Sequence, residues 1–363
     1  MLIVGGGPAG LAAAIAARAK GLRVTLVDSR KPPIDKACGE GLLPEGVAAL
    51  QNLGVDLRYA SPALFSGIRF SDAHSSASAR FPRGTAFGLR RTALHKLLLD
   101  HAASVGVELV WGARVSDFGQ VGAKVNEEWI RSCWLIGADG QQSSVRRFAR
   151  LGRDLRGPTR FGFRRHYAVA PWTDLVEVYW GKRCQTVITP TGAEEICISL
   201  FSSASHPRID EALREFPQVA QHLSSAKPVS TLAGAVTSLG RAAAVTRGNI
   251  ALVGDASGTV DGIAGQGLSL AFQQAQALGE ALGRGDLAHY EATHRRIMRN
   301  ASRMTRLLLL MSASPAIRRK ALRLFAAHPS IFSRLIAVHA GEASQDALGA
   351  AEILDLGWCV LWA

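Results

Sequence analysis

Residues 2–28 constrain this chain more than any other stretch. Leu2-Ile3-Val4 is a short apolar run of strand type, and Gly5-Gly6-Gly7-Pro8-Ala9-Gly10 follows it at once. Leu11 to Lys20 is built from strong helix formers. Arg23-Val24-Thr25-Leu26-Val27 then reads as a second strand, closed by Asp28. Gly5, Gly7 and Gly10 fit G-x-G-x-x-G: the first permits a tight turn, the second lets the backbone approach a pyrophosphate, and the third lets helix and strand pack closely. The helix start adds free N–H groups and a partial positive charge for the phosphates. Asp28 suits a ribose hydroxyl. This βαβ unit serves both NAD and FAD, so by itself it leaves the cofactor open.

Two later stretches repeat the pattern of a strand delivering a short acid and a glycine. Trp134-Leu-Ile-Gly-Ala-Asp139-Gly140 is an apolar strand followed by the polar turn Gln141 to Ser144. Asn249-Ile-Ala-Leu-Val-Gly254-Asp255-Ala-Ser-Gly258 is another, and Gly262, Gly265 and Gly267 lead from it into the helix former Leu268–Leu278. Ligands of open α/β sheets bind at such strand ends. Between the first unit and these two, Lys36-Ala-Cys38-Gly39-Glu40-Gly41 forms a glycine-punctuated loop.

In order and spacing these three stations resemble the FAD-dependent oxidoreductases of the para-hydroxybenzoate hydroxylase superfamily. Cys38-Gly39-Glu40-Gly41 and Gly254-Asp255-Ala-Ser-Gly258 look most like its geranylgeranyl reductase family. The resemblance implies an α/β fold: a Rossmann-like FAD-binding domain (GR2-type), an inserted antiparallel-sheet substrate domain and a C-terminal helical segment. It implies that Gly5, Gly7, Pro8, Ala9 and Gly10 meet the FAD pyrophosphate, and that Asp28, with Ser29 and Arg30 beside it, meets the adenosine ribose. Cys38, Gly39 and Gly41 would lie near the flavin. Arg91, in Arg-Thr-Ala-Leu-His, matches a position that contacts FAD. Asp139 would support the fold near the cofactor, Gly254 and Asp255 would reach the ribityl chain, and Gly265-Gln266-Gly267 would face the flavin pyrimidine edge. Where many relatives carry Pro, this chain has Gly262. The W-x-W-x-I-P stretch of flavin halogenases is absent.

The implied reaction is hydride transfer from reduced flavin to an isoprenoid or related C=C bond, with NAD(P)H as reductant. A second G-x-G-x-x-G is not required for NAD(P)H in this superfamily. The alternative is a monooxygenase that hydroxylates an aromatic, quinone or polyketide-type substrate through a C4a-hydroperoxyflavin. A third reading, a non-catalytic flavin-binding redox partner, also stays open. Candidate proton donors are Cys38, Glu40 and His166, each weighed against a bland role: packing for Cys38, solvent exposure for Glu40.

The domain boundaries follow the motifs. Residues 1–57, 89–156 and 241–285 form a discontinuous FAD-binding domain. Residues 58–88 and 157–240 alternate strand signals with turns and form the substrate domain. Phe161, Phe163, Tyr167, Tyr179 and Trp180 are its candidate pocket walls, for a hydrophobic small-molecule substrate. Residues 286–363 read as helical.

The chain has 363 residues, with 48% hydrophobic and 20% charged, which suits a globular protein of two domains. Its five cysteines show no C-x-x-C spacing, so neither a disulfide framework nor a metal site is expected, and a reduced, cytoplasmic setting fits. No apolar run reaches the ~18 residues that span a bilayer. The net charge of +13 comes without a nucleic-acid-binding motif, and no nucleic-acid partner is expected. The excess is uneven: residues 292–341 contain no Asp or Glu, while basic residues from Arg295 to Arg334 interleave with apolar ones. Two readings stay open for residues 295–334, an amphipathic surface for an anionic membrane or a helical cap with a solvated basic face.

Overall fold

The computed structural model describes residues 1–205 and 209–343. The C-terminal part of the expected helical region, 344–363, lies outside the described residues.

Strands Leu2–Val4, Thr25–Asp28, Glu108–Trp111, Leu135–Gly137 and Ile250–Leu252 form a parallel sheet, with Thr246–Arg247 added antiparallel at one edge. Leu2–Val4 sits between Thr25–Asp28 and Leu135–Gly137, and Ile250–Leu252 follows Leu135–Gly137. Their carboxyl ends therefore share one edge, which brings residues 5–10, 138–140 and 253–255 together although they are far apart in sequence. Apart from the edge strand Glu108–Trp111, these strands are buried on both faces, so they read as continuous apolar runs. The first helix, Pro8–Arg18, and the helix Gly267–Gly283 pack on one another, where a methyl on Gly279 would come 2.8 Å from the Ala16 methyl.

A second, larger sheet carries most of the middle of the chain. Its order is Gly258–Thr259, Ala233–Ala242, Arg153–Ala168, Glu195–Ser202, Cys184–Gly192, Leu175–Trp180, Gly67–Ser71 and Ser76–Arg80. All neighbours along it are antiparallel except Leu175–Trp180 with Gly67–Ser71. Two small antiparallel sheets were not anticipated, one over residues 115–131 and one joining residues 41–42, 63–65 and 86–88.

The helices Leu287–Ala313, Pro315–Ala327 and Pro329–His339 follow. Each of the latter two has Pro in its first turn, where a missing N–H costs nothing. They pack Phe325, Phe332 and Ile336 against Phe70 and Trp180 of the large sheet. Among the described residues no single helix is long and apolar enough to cross a membrane.

Candidate flavin and substrate site

A cavity of about 790 Å3 lies between the parallel sheet's carboxyl edge and the large sheet. Sixteen of the expected cofactor residues line it: Gly5, Gly7, Pro8, Ala9, Asp28, Ser29, Arg30, Cys38, Gly39, Gly41, Arg91, Asp139, Gly254, Asp255, Gly265 and Gly267. Gly10 does not. A methyl there would lie 1.9 Å from the Gly5 carbonyl oxygen, so its bareness serves the crossing of helix and strand. Gln266 does not either: it is buried, and its side-chain amide donates to the His339 carbonyl at 3.0 Å.

The geometry fits a dinucleotide. Gly5 has φ +111°, and a methyl on it would sit 2.3 Å from the Ala138 carbonyl, so the turn admits no side chain. Gly7, Gly265 and Gly267 have no atom within 4 Å of an added methyl, leaving bare backbone against the cavity. The helices that start at Pro8 and Gly267 have no side-chain cap, so their first N–H groups remain for an anion. Asp28 is buried at its strand end, where Gly6 N–H donates to Oδ2 at 2.7 Å and Arg30 N–H to Oδ1 at 2.8 Å. Arg91 lines the cavity with its buried Nε unpartnered, a donor still to be used. Asp139 accepts from Ser144 N–H at 2.6 Å and Ser144 Oγ–H at 2.7 Å, tying its loop to the short helix Ser144–Phe148. Asp255 pairs with Lys36 Nζ at 2.8 Å, which closes the loop 36–41 over the cavity.

The catalytic candidates fall into one cluster. Cys38 is half-buried in the cavity wall, and its sulfur accepts from Glu40 N–H at 3.4 Å. Glu40, expected at the solvent, is instead buried, with φ +59°. Its Oε1 accepts from Arg91 N–H at 3.0 Å, and its Oε2 lies 2.5 Å from His166 Nε2. Its carboxyl thus replaces water with two partners, the condition for burying it. His166 is buried behind Glu40, off the cavity, with Nδ1 2.9 Å from Ser230 Oγ.

Several residues here escaped the reading of the sequence. Arg164 is buried, donates to Asp35 Oδ1 at 2.6 Å and lies 3.8 Å from Glu40 Oε1. Burial opposes its charge, but Asp35 and Glu40 outweigh burial and hold it above its ordinary value. His95 braces the glycine turn, with Nε2 2.9 Å from the Gly6 carbonyl oxygen. Arg160 pairs with Asp261 at 2.9 Å, both buried, and so fixes the turn before Gly262. The one sequence signal was Arg160, Arg164 and His166 at even spacing, which puts them on one face of the strand Arg153–Ala168.

Glu40, His166 and Cys197 also bring one donor atom each within 4.8 Å, the spacing of a metal centre. The Arg164 guanidinium lies 3.8 Å from Glu40 Oε1 and already supplies positive charge to this cluster.

Of the five aromatic residues expected as pocket walls, only Phe163 lines the cavity. Tyr167 and Tyr179 face the opposite layer, packing with Ile209, Leu213 and Phe216. Trp180 packs on Phe70 and donates to Ser312 Oγ at 3.1 Å, beyond the cavity. Phe65, Phe70 and Phe201 provide the aromatic walls instead.

Strand ends converging on a glycine-bared cleft define a flavoprotein of the FAD-binding α/β class. Residues 1–285 match the model of the FAD binding domain family, and the chain belongs to that family. It is 29% identical to the menaquinone reductase of Mycolicibacterium smegmatis, over 80% of this chain and 78% of that protein. It is 28% identical to the digeranylgeranylglycerophospholipid reductase of Methanosarcina mazei, over 77% and 74%. It is also 28% identical to the 6-methylpretetramide 4-monooxygenase of Streptomyces rimosus, over 94% and 92%. Among solved structures, a flavoprotein/dehydrogenase from Cytophaga hutchinsonii superposes with a TM-score of 0.83 at 17% identity, covering 99% of this chain and 96% of that one. A flavin-dependent brominase shares the fold with a TM-score of 0.77, also at 17% identity, over 98% of both chains. The chain is thus an FAD-dependent oxidoreductase, and the reading as a non-catalytic redox partner is set aside because its relatives are named reductases and monooxygenases.

Proposed function

We propose that this enzyme reduces a carbon–carbon double bond of an isoprenoid or related hydrophobic small molecule, with NAD(P)H as the source of electrons. The observation that carries the reading is the chamber beyond the loop 36–41. Phe65, Phe70, Val178, Val187, Phe201 and Leu308 line it with hydrocarbon, and Cys38 stands in the same cavity wall. A bound FAD would supply the hydride chemistry. Gly5, Gly7 and the start of the first helix would hold its diphosphate, Asp28 would accept from a ribose hydroxyl, and Arg91 Nε would give the donor it now keeps unpaired. The backbone at Gly265 to Gly267 would stabilise negative charge through its N–H groups.

Reduction of a double bond also needs a proton. Cys38 places its sulfur in the cavity wall, where it can donate to the substrate. Behind it, Glu40 Oε2 lies 2.5 Å from His166 Nε2, and Ser230 Oγ, 2.9 Å from His166 Nδ1, continues the chain outward. Relatives named as reductases of menaquinone and of digeranylgeranylglycerophospholipid support the reading. Anaerobic incubation of the flavin-loaded enzyme with NADPH and a polyprenyl lipid extract should yield products heavier by two hydrogens in mass spectrometry.

The second reading, a monooxygenase, has its support in the likeness to 6-methylpretetramide 4-monooxygenase along 94% of the chain. Substrate-dependent oxygen uptake with a hydroxylated product would favour it and reject the reductase.

A further inference from the structure

The long helix Leu287–Ala313 and the strand Ala233–Ala242 enclose a second hollow, of about 590 Å3. Six arginines line it: Arg241 from the strand, and Arg295, Arg296, Arg299, Arg303 and Arg306 from the helix. Among the described residues no acidic one lines it. Arg295, Arg299, Ser302, Arg303 and Arg306 fall three or four residues apart, so they stack along one face of the helix. Like charges at that spacing destabilise a helix.

The fold does little to cancel this repulsion. Glu291 is the acid beside the hollow, and both its oxygens are engaged: Oε1 pairs with Arg295 at 3.1 Å, while Oε2 accepts from Val245 N–H at 2.8 Å and Thr246 N–H at 3.1 Å. Among the described side chains no carboxylate pairs with Arg296, Arg299 or Arg306, and all three are exposed, while Arg241 stands opposite Asp154 on the adjoining strand. The neighbouring helix contrasts with this, since its Arg318 is buried against Asp72 at 3.5 Å and is not part of any basic surface. Gly240 and Met298 form part of the wall. Gly240 pairs with Thr259, which lines the central cavity, so one pair of strands separates the two spaces.

A concave site with several guanidinium forks and no carboxylate is complementary to a multiply charged oxyanion, because each fork can give two parallel hydrogen bonds to phosphate oxygens. We propose that this hollow binds the phosphoryl groups of a phosphorylated ligand. That chemistry is shared by a free diphosphate and by the headgroup of an anionic lipid. The proposal does not depend on which reaction the flavin site performs.

The flavin-loaded protein is titrated calorimetrically with inorganic pyrophosphate, and sedimented with vesicles of phosphatidylcholine with and without phosphatidylglycerol. The variant Arg299→Glu/Arg306→Glu is compared with Arg319→Glu/Arg323→Glu, which makes the same charge change outside the hollow. Arg299→Gln/Arg306→Gln serves as a milder version should the first pair fold poorly. Pyrophosphate binding that falls at least ~30-fold in the groove variants and less than ~3-fold in the control supports the proposal. If anionic vesicles then bind both variants alike, the ligand is a soluble phosphate. If vesicle binding is lost with the groove alone and pyrophosphate competes for it, the ligand is a lipid headgroup. Absence of binding to pyrophosphate and to anionic vesicles, or equal loss in groove and control variants, overturns the proposal.

Discussion

A methyl group on Gly7 would meet no atom within 4 Å, while one on Gly10 would lie 1.9 Å from the Gly5 carbonyl oxygen. Two glycines of one motif therefore do different jobs, and they can be separated. Gly7→Ala should leave the apoprotein's stability within roughly 0.5 kcal/mol of the parent while weakening FAD binding at least tenfold, because the new methyl occupies the approach to the backbone. Gly10→Ala should cost about 2–3 kcal/mol or more in the apoprotein itself, through overpacking against fixed backbone. Denaturation of the flavin-free proteins beside FAD titrations distinguishes the two. Glu40 gives a third test. Replacing it with Gln preserves shape but removes the charge facing Arg164 and His166, so flavin content should persist while turnover falls and its pH profile changes. Glu40→Ala should instead destabilise the fold by ~3–5 kcal/mol, since Arg164 would lose a buried partner.

At the scale of elements, what was legible followed from backbone chemistry, and what was not depended on neighbours. Strand, glycine and acid at residues 2–28, 134–140 and 249–258 needed no partner to be recognised, and parallel strands put their carboxyl ends on one edge. Tyr179 and Trp180 show the limit. Adjacent strand residues point to opposite faces, but which face meets the cavity depends on what packs on the other, here the layer holding Phe216. Glu40 misled for a related reason: Arg91, Arg164 and His166, its partners, come from 51 to 126 residues away. The small sheet over 115–131 has three or four consecutive paired positions and no strong alternation, so it left no clear pattern. The contact of the first helix with Gly267–Gly283 was also silent in sequence, because Gly279 in a helix looks merely unfavourable until Ala16 is seen beside it. Gly279→Ala should therefore destabilise by about 1–3 kcal/mol despite its better helix propensity, as read from urea midpoints.

For the molecule as a whole, two buried histidines set an acid limit. Burial lowers both His294 and His339 to about 4, His294 lying 2.9 Å from Ser257 Oγ in the core. The unfolded chain binds protons on these rings near pH 6.5, and the folded one does so only near pH 4, so stability is complete above the upper value and drains as pH falls between the two. Each ring contributes on the order of 3 kcal/mol across that window. Melting temperatures should be level from pH 7 to 8 and fall steeply from 6.5 to 4, and His294→Gln should flatten part of that fall; an unchanged slope would remove His294 from the account.

The strand order of the parallel sheet has a consequence for biosynthesis. Ile250–Leu252 docks beside Leu135–Gly137, and the bare backbone at Gly265 and Gly267 follows it. A nascent chain emerging from the ribosome cannot complete the wall of the central cavity until residue 267 has cleared the exit tunnel, so the cleft closes late in synthesis. Products of premature termination before that point would lack one side of the cleft.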